Sequence, residues 1–265
     1  MRRAFAAALA LLLSAAAAQG GAWTLRRGHW QVFTATTGSS AGLSFDSHGR
    51  AVLPTVFNKL LVQNCIEYGL TDYLTLFATP DYVMARVRPA ASQNVHNSSF
   101  EGGARLLLFG GHGKLSLQGS YKTAGAFDLS AHAEGGGTGL FASGRQIELR
   151  LLYGTSFKLL GHDGFIDFQA GQRWIAAPRP NETPVDLTAG LWITRNWMVM
   201  AQSFNIVSAG DARPPYTYYR SHKIELSLVQ KLSRHWSLQV GAFYSPAGQN
   251  ALVERGVQVS LWTQD

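Results

Sequence analysis

The chain has one cysteine, few charged residues and, after its N-terminal stretch, no apolar run as long as a membrane helix. Cys65 cannot form an intrachain disulfide, and no Cys and His residues have the spacing of a zinc site. A spanning helix needs about 20 consecutive apolar residues. These absences exclude a disulfide-stapled domain, a zinc domain and a mature helical membrane protein.

The first residues predict export from the cytoplasm. Arg2 and Arg3 precede the apolar stretch Ala4–Ala18, which ends in small residues. A charged start, a short apolar core and an Ala-x-Ala-type site are typical of a secretory signal peptide. An uncleaved anchor is the alternative, but the stretch is short for a spanning helix of about 20 residues.

We therefore expect residues 1–22 to form a signal peptide that is cleaved after Ala18 or Ala22. Residues 23–265 would then form the mature domain. No Cys lies near the cleavage site, so no lipid anchor is expected.

The composition favours apolar and polar residues that alternate. Apolar residues make up 46% of the chain and charged residues 15%, yet the mean hydropathy is −0.02. Alternation at period two is the pattern of half-buried strands. The net charge of +7 fits nucleic acid or an anionic surface, and the export signal excludes nucleic acid.

A short polar turn closed by an aromatic residue recurs along the chain. It occurs at Gly69–Tyr73, Thr194–Trp197 and Ser233–Trp236. Tight turns with interfacial aromatics between alternating strands are typical of transmembrane β-barrels. A barrel satisfies every backbone group in lipid, which an open sheet does not.

The alternation predicts an all-β fold: one antiparallel up-and-down transmembrane β-barrel of about twelve strands. The predicted strands span 29–37, 56–69, 73–86, 99–109, 114–123, 145–158, 165–175, 184–194, 197–208, 219–232, 236–245 and 254–263. Long predicted connections, which would be extracellular, span 38–54, 89–98, 124–144, 176–183, 209–218 and 245–253. Short ones, which would be periplasmic, span 70–72, 110–113, 159–164, 195–196 and 233–235. A soluble β-sandwich or lipocalin-like barrel is the alternative, but it has no reason to alternate loop lengths.

Side-chain parity assigns one face of each strand to lipid and the other to the lumen. In 145–158, Ile147, Leu149 and Leu151 share one face, and Glu148 and Arg150 share the other. The predicted aromatic girdle comprises Tyr68, Tyr73, Trp197, Trp236 and Trp262. The predicted lumen-lining residues are Lys59, Glu67, Glu101, Arg105, Lys114, Glu148, Arg150, Asp167, Arg173, Asp186, Lys223 and Glu225.

The lumen charges allow two interpretations. Opposite charges on neighbouring strands can form salt bridges that brace the wall, and they can also form the selectivity wall of a pore. The lumen-facing cations Arg105, Arg150, Arg173 and Lys223 slightly outnumber the nearby acids, so we expect weak, anion-leaning selectivity. No metal site and no cofactor are expected.

Catalysis is not expected. His112, His162 and His235 occupy separate turns, and His222 has no nucleophile at a fixed spacing. The chain has neither a Gly-x-Ser-x-Gly motif nor a His-x-x-x-His pair. We therefore predict that the protein is not an enzyme.

The string Glu67–Leu76 resembles the hairpin signature of outer-membrane barrels from the meta-pathway of phenol degradation, the MetA-like transporter family. The stretches Gly21–Leu25 and Phe45–Arg50 are similar to Xag-type barrels of exopolysaccharide and biofilm loci. These resemblances imply a barrel and passive transport. They imply no catalytic residues.

The function predicted from the sequence is a passive outer-membrane channel for a small or medium solute, hydrophobic or aromatic ones included. A non-conducting structural barrel, or a component of exopolysaccharide secretion, is the alternative. The expected partners are outer-membrane lipid, the barrel assembly machinery, and a small-molecule or polysaccharide solute. One departure from other barrels is the C-terminus, where Trp262 stands near the end in place of a terminal aromatic residue.

Overall fold

The computed structural model describes residues 21–88, 93–123, 145–177, 179–210 and 217–265. The predicted signal peptide up to residue 20 and the predicted connection 124–144 lie outside this description, as do parts of the connections 89–98 and 209–218. Twelve strands are present: β1 (Trp30–Phe45), β2 (Ala51–Thr71), β3 (Leu74–Arg88), β4 (Gln93–Gly110), β5 (Gly113–Lys122), β6 (Gln146–Leu159), β7 (His162–Ile175), β8 (Glu182–Trp192), β9 (Trp197–Ser208), β10 (Arg220–Lys231), β11 (Trp236–Gln249) and β12 (Arg255–Gln264).

Each strand pairs antiparallel with its neighbours in the chain, and β1 pairs with β12 to close the barrel. The closing seam runs without a register shift from the pair Gln31/Gln264 to the pair Ser40/Arg255. Closure leaves no unpaired strand edge, which is what lipid requires of a β-structure. The predicted all-β, twelve-strand, up-and-down barrel is confirmed.

The first hairpin is longer than the sequence predicted. The expected connection 38–54 is mostly strand, and only residues 46–50 separate β1 from β2. Asp46 organises this turn by accepting hydrogen bonds from the backbone N–H groups of His48 and Arg50. The backbone N–H of Arg50 is also the main cause of the lowered pKa of Asp46. The sequence pattern did not predict this extension, because its polar and small residues do not alternate with apolar ones. Strand pairing outside the membrane needs no apolar face.

Burial alternates along the strands as the parity predicted. In β6, Glu148 and Leu152 are buried, whereas Leu149 and Leu151 are exposed on the outer surface. Apolar side chains thus face outward, towards lipid in a membrane barrel. No helix in the described ranges is long and apolar enough to cross a membrane.

The turn between β6 and β7 is shorter than the predicted connection 159–164. Leu160 and Gly161 alone join the strands, and both have positive φ, at 50° and 85°. Positive φ at both central residues is the two-residue hairpin turn that matches the twist of the flanking strands. This turn sets the short side of the barrel, which is periplasmic in outer-membrane barrels.

Candidate functional site

The residues before β1 enter the lumen. We call residues 21–28 the N-terminal segment. Ala22 is fully buried, its N–H donates to Asp167 Oδ2 at 2.7 Å, and its carbonyl oxygen accepts from Ser116 Oγ at 2.5 Å. The Trp23 carbonyl oxygen accepts from Arg105 Nη1 at 3.1 Å. The segment is therefore bonded to β4, β5 and β7 at once.

The end of the N-terminal segment is fastened to the β2–β3 hairpin. The Leu25 N–H donates to Thr75 Oγ1 at 2.8 Å, and the Arg27 N–H donates to Asp72 Oδ1 at 2.9 Å. A Cβ at Gly69 would collide with the backbone oxygen of Arg26. A Cβ at Gly154 would lie 2.6 Å from the Trp23 ring. Because glycine has no Cβ, its presence at both positions leaves room for the N-terminal segment.

An apolar layer lies inside the barrel at the level of the N-terminal segment. We call it the apolar partition; it comprises Phe33, Phe165, Met198, Met200, Val229 and Trp262, with Trp23, Cys65 and Trp192 packed against it. It extends from β1 to β7, which lie on opposite sides of a twelve-strand ring. Trp23 meets Phe165 edge to face with ring centroids 6.0 Å apart. The partition spans β7, β9, β10, β12 and β1, and the N-terminal segment bonds to β4, β5 and β7, so together they contact strands on every side of the lumen.

The structure corrects one member of the predicted aromatic girdle. Trp262 lies inside the barrel and is 6% exposed. Its ring meets Phe33 edge to face, with centroids 5.6 Å apart, and its Nε1–H donates to Gln239 Oε1 at 3.2 Å. Its assignment to the girdle was wrong because its neighbours Leu261 and Thr263, not Trp262, have the outward parity.

The other predicted girdle residues lie exposed at the ends next to short turns: Tyr68, Tyr73, Trp197 and Trp236. Trp30 joins them, since it is exposed and pairs with Tyr68 across β1 and β2. The predicted girdle did not include Trp30, which follows the N-terminal segment rather than one of the short turns between strands. Trp30 also suits the headgroup level, where amphipathic rings are favoured.

Charged side chains from β2 and β4–β8 form a continuous wall of the lumen. Arg105 Nη2 lies 2.8 Å from Glu67 Oε1, and its Nε–H donates to Gln118 Oε1 at 3.1 Å. Gln31 donates to the other oxygen of Glu67. The Arg105–Glu67 pair is almost wholly buried, and its hydrogen bonds satisfy what burial would otherwise leave unpaired.

Two further arginines bridge three strands each. Arg150, on β6, lies 2.5 Å from Glu148 and 2.6 Å from Asp186 on β8, and its Nη1–H donates to Gln169 Oε1 on β7 at 2.9 Å. Arg173 lies 2.7 Å from Glu148 and 2.5 Å from Glu182. The predicted pairing of charges on β6, β7 and β8 is present, and Glu182, which the sequence analysis missed, belongs to it.

These pairs predict a stability effect. Arg173→Gln should lower the free energy of unfolding by roughly 3 kcal/mol, at the low end for a broken buried pair because the Arg173 side chain is 22% exposed. The exposed pair Lys158–Asp163 supplies the matched control, and Lys158→Gln should cost about 0–1 kcal/mol. Urea unfolding of the refolded barrel in detergent measures both. Equal losses would show that the wall network does not brace the barrel.

A second charge cluster lies towards the long-loop end. Glu254, in the connection before β12, lies 2.9 Å from Lys59 and 2.8 Å from Lys223. Ser39 Oγ donates to the same carboxylate at 2.5 Å. One loop carboxylate thus ties together β1, β2 and β10, and narrows the lumen there.

Between these closures lies a central cavity of about 470 Å³. Its charged lining comes mainly from β4–β7 and includes Glu101, Arg105, Glu148, Arg150 and Arg173. Its apolar lining comes from the remaining circumference: Phe33, Leu61, Cys65, Phe77, Phe204, Ile206 and Phe243. Lys59, Glu67, Lys223 and Glu225 line the same side. The cavity therefore has a wholly polar side on β4–β7 and a mixed side on which apolar residues lie among charged ones. The sequence prediction missed these apolar residues because the alternation rule assigned polar residues to the lumen.

The predicted lumen residues fall into two groups. The paired ones are Lys59, Glu67, Arg105, Glu148, Arg150, Arg173, Asp186 and Lys223. Asp167 accepts from Ala22 and Gln169, and Glu225 from Ser227 and Gln239. Within the described residues, Glu101 and Glu225 form no ion pair although both line the cavity. In the same part of the chain no three His, Cys, Asp or Glu residues are grouped as metal ligands.

The N-terminal segment bears on where the signal peptide is cleaved. We propose cleavage after Ala18, because cleavage after Ala22 would remove the bonds to Asp167 and Ser116. The intact mass of protein purified from membranes should correspond to a chain that starts at Gln19. A mass that corresponds to a start at Trp23 would contradict this.

The barrel resembles solved structures, although the sequence matches no family profile and no curated relative. An outer membrane channel from Pseudomonas putida F1 superposes with a TM-score of 0.70 at 12% identity, over 94% of this chain and 99% of that chain. The fold is that of the bacterial outer-membrane barrels. The translocator domain of the autotransporter NalP from Neisseria meningitidis superposes with a TM-score of 0.59 at 11% identity, over 96% and 92% of the two chains.

These likenesses agree with the apolar outer surface of the barrel, which is what lipid requires of a transmembrane β-barrel. At such low identity they show the fold alone. The MetA-like and Xag-type resemblances stay predictions.

Proposed function

We propose that the barrel is a passive channel for small amphipathic solutes, and that the N-terminal segment closes it in this conformation. The observation that carries the proposal is the central cavity of about 470 Å³, with a polar side opposite a side on which apolar and charged residues are mixed. Such a lining accommodates a solute that has both a ring or alkyl part and a polar group. The likeness to an outer membrane channel supports the same proposal.

A structural barrel that conducts nothing is the second candidate. The bonded N-terminal segment and the apolar partition favour it, because together they contact strands on every side of the lumen. Planar-bilayer recording separates the two. A channel shows discrete current steps that increase when the segment is removed, whereas a structural barrel shows none with or without it.

The cavity charges predict weak cation preference in any current. All five cations that line the cavity, Lys59, Arg105, Arg150, Arg173 and Lys223, are in ion pairs. Two acids in the cavity, Glu101 and Glu225, have no ion-pair partner in the described ranges. Because the cations are paired, we expect a weak cation preference in place of the anion preference that the residue counts predicted.

Glu101→Gln should therefore move the reversal potential in a salt gradient towards that of a non-selective pore, and Glu101→Asp should leave it unchanged. An anion preference in the unaltered protein would contradict the assignment of Glu101 as a free lumen charge.

A further inference from the structure

A second cavity opens at the short-turn end of the barrel, on the other side of the apolar partition from the central cavity. We call it the periplasmic vestibule. It has a volume of about 740 Å³ and is bounded by the turns that join β6 to β7, β8 to β9 and β10 to β11, and by the end of β12. The N-terminal segment contributes none of its lining.

The vestibule carries uncompensated positive charge. Arg195, Lys231 and Arg234 line it, with Asp163 as the only acid among the lining residues. The Asp163 carboxylate forms an ion pair with Lys158 at 2.6 Å. None of the three cations forms an ion pair with any acid in the part of the chain that the structure describes. An anion that enters meets three unpaired cations and one carboxylate, which Lys158 already pairs.

The floor of the vestibule is aromatic. Trp192 and Trp262 both line it, and both belong to or pack against the apolar partition. Trp262 is held by Gln239 and Phe33, so its ring is fixed before any ligand arrives. Fixed tryptophan rings offer a flat apolar surface on which an aromatic group can stack.

The walls are tied to one another by backbone hydrogen bonds. The Lys231 N–H donates to the Asn196 carbonyl oxygen at 2.8 Å, which joins the β8–β9 turn to β10. The Gln264 N–H donates to the His235 carbonyl oxygen at 3.1 Å, and His235 Nδ1 lies 3.0 Å from the Gln264 carbonyl oxygen. The arginines therefore project from a braced frame, which lowers the entropic cost of binding.

We propose that the periplasmic vestibule binds small aromatic carboxylates. The carboxylate pairs with Arg195 and Arg234, whose guanidinium groups suit it bidentately, and the ring packs on Trp192 and Trp262. This site is distinct from the central cavity. It does not depend on the channel proposal, since a barrel that conducts nothing can still bind a ligand at its mouth.

Isothermal titration of the refolded full chain in detergent tests the proposal, with benzoate as the probe. Benzamide keeps the ring and lacks the charge, and acetate keeps the charge and lacks the ring. Benzoate should bind about tenfold or more tightly than either one, since a charged hydrogen bond and ring stacking each contribute at this scale. Benzoate binding should weaken as the salt concentration rises.

The double variant Arg195→Gln/Arg234→Gln should lose benzoate binding by about tenfold or more. The matched control is Arg26→Gln/Arg27→Gln, which removes two exposed cations that do not line the vestibule, and it should bind as the unaltered protein does. Trp192→Leu should keep binding of acetate and lose the preference for benzoate. If the double variant does not fold, the single variants Arg195→Gln and Arg234→Gln serve in its place, and each should weaken benzoate binding.

Equal benzoate binding by the double variant and its control would overturn the proposal, and so would equal affinity for benzoate and benzamide. Binding of poly-L-glutamate that depends on Arg195 and Arg234, without any binding of benzoate, would also overturn it, in favour of an acidic polypeptide partner. Absence of channel current alone would leave the titration result standing, so failure of the channel proposal is recognised separately.

Discussion

Deleting residues 21–25 should raise the single-channel conductance several-fold. Ala22 and Trp23 occupy the space between β5 and β7 and meet the apolar partition, so their removal opens the level at which the lumen is closed. The reference protein starts at residue 21 and the deletion variant starts at residue 26. Both would be refolded without the signal peptide and recorded in planar bilayers. Heat-modifiability on gels would establish that each barrel is folded.

Arg26→Gln/Arg27→Gln is the control for this deletion, because it alters the same segment at exposed side chains and keeps Trp23 in place. Its conductance should match that of the full chain. Trp23→Ala should give an intermediate value, since the backbone bonds at Ala22 remain. A folded deletion variant with unchanged current would reject the N-terminal segment as the closure and favour the structural barrel.

Val259→Arg should impair membrane insertion, whereas Gln258→Arg should not. The two residues are adjacent in β12, but Val259 is exposed on the outer surface and Gln258 lines the central cavity. An arginine on the lipid face near mid-membrane costs roughly 2–4 kcal/mol. A lumen arginine stays close to Glu225 and other cavity acids. Leu226→Arg and Leu149→Arg, also on the outer face, should behave as Val259→Arg does.

Folding yield into lipid vesicles, read from heat-modifiability, measures this difference. Equal yields for Val259→Arg and Gln258→Arg would show that the assignment of the two faces is wrong. A loss confined to Gln258→Arg would reverse the assignment.

The barrel itself could be predicted from the sequence because its determinants are local. Alternation in stretches such as Gln146–Leu159 and the aromatic-closed turns fix the strand number and the outward face. The ends of the strands were harder to predict from the sequence. The continuation of β1 to Phe45 rests on cross-strand hydrogen bonds and the Asp46 turn, and polar residues give no periodic signal for such pairing.

The interior of the barrel was predicted in part. Charge pairs such as Arg150–Glu148 and Arg173–Glu148 follow from parity on neighbouring strands. The N-terminal segment could not be found this way, because its contacts join residues far apart in the chain, as Ala22 and Asp167 do. The sequence feature that could have indicated the segment is Trp23, an isolated tryptophan that lies among small residues ahead of the first strand. Inward apolar residues such as Met200 and Phe204 break the polar-in rule, and the sequence prediction assigned them to neither face.

The position of the N-terminal segment constrains the order of events during barrel biogenesis. The segment leads directly into β1, and β1 forms the closing seam with β12, which is made after the other eleven strands of the barrel. The opening through which the segment enters the interior is widest before β1 and β12 pair. An assembly intermediate with an open seam therefore has to admit residues 21–25 first. A bulky fusion placed ahead of Gly21 would be expected to stall this intermediate, whereas one placed after Asp265, at the exposed rim, would not.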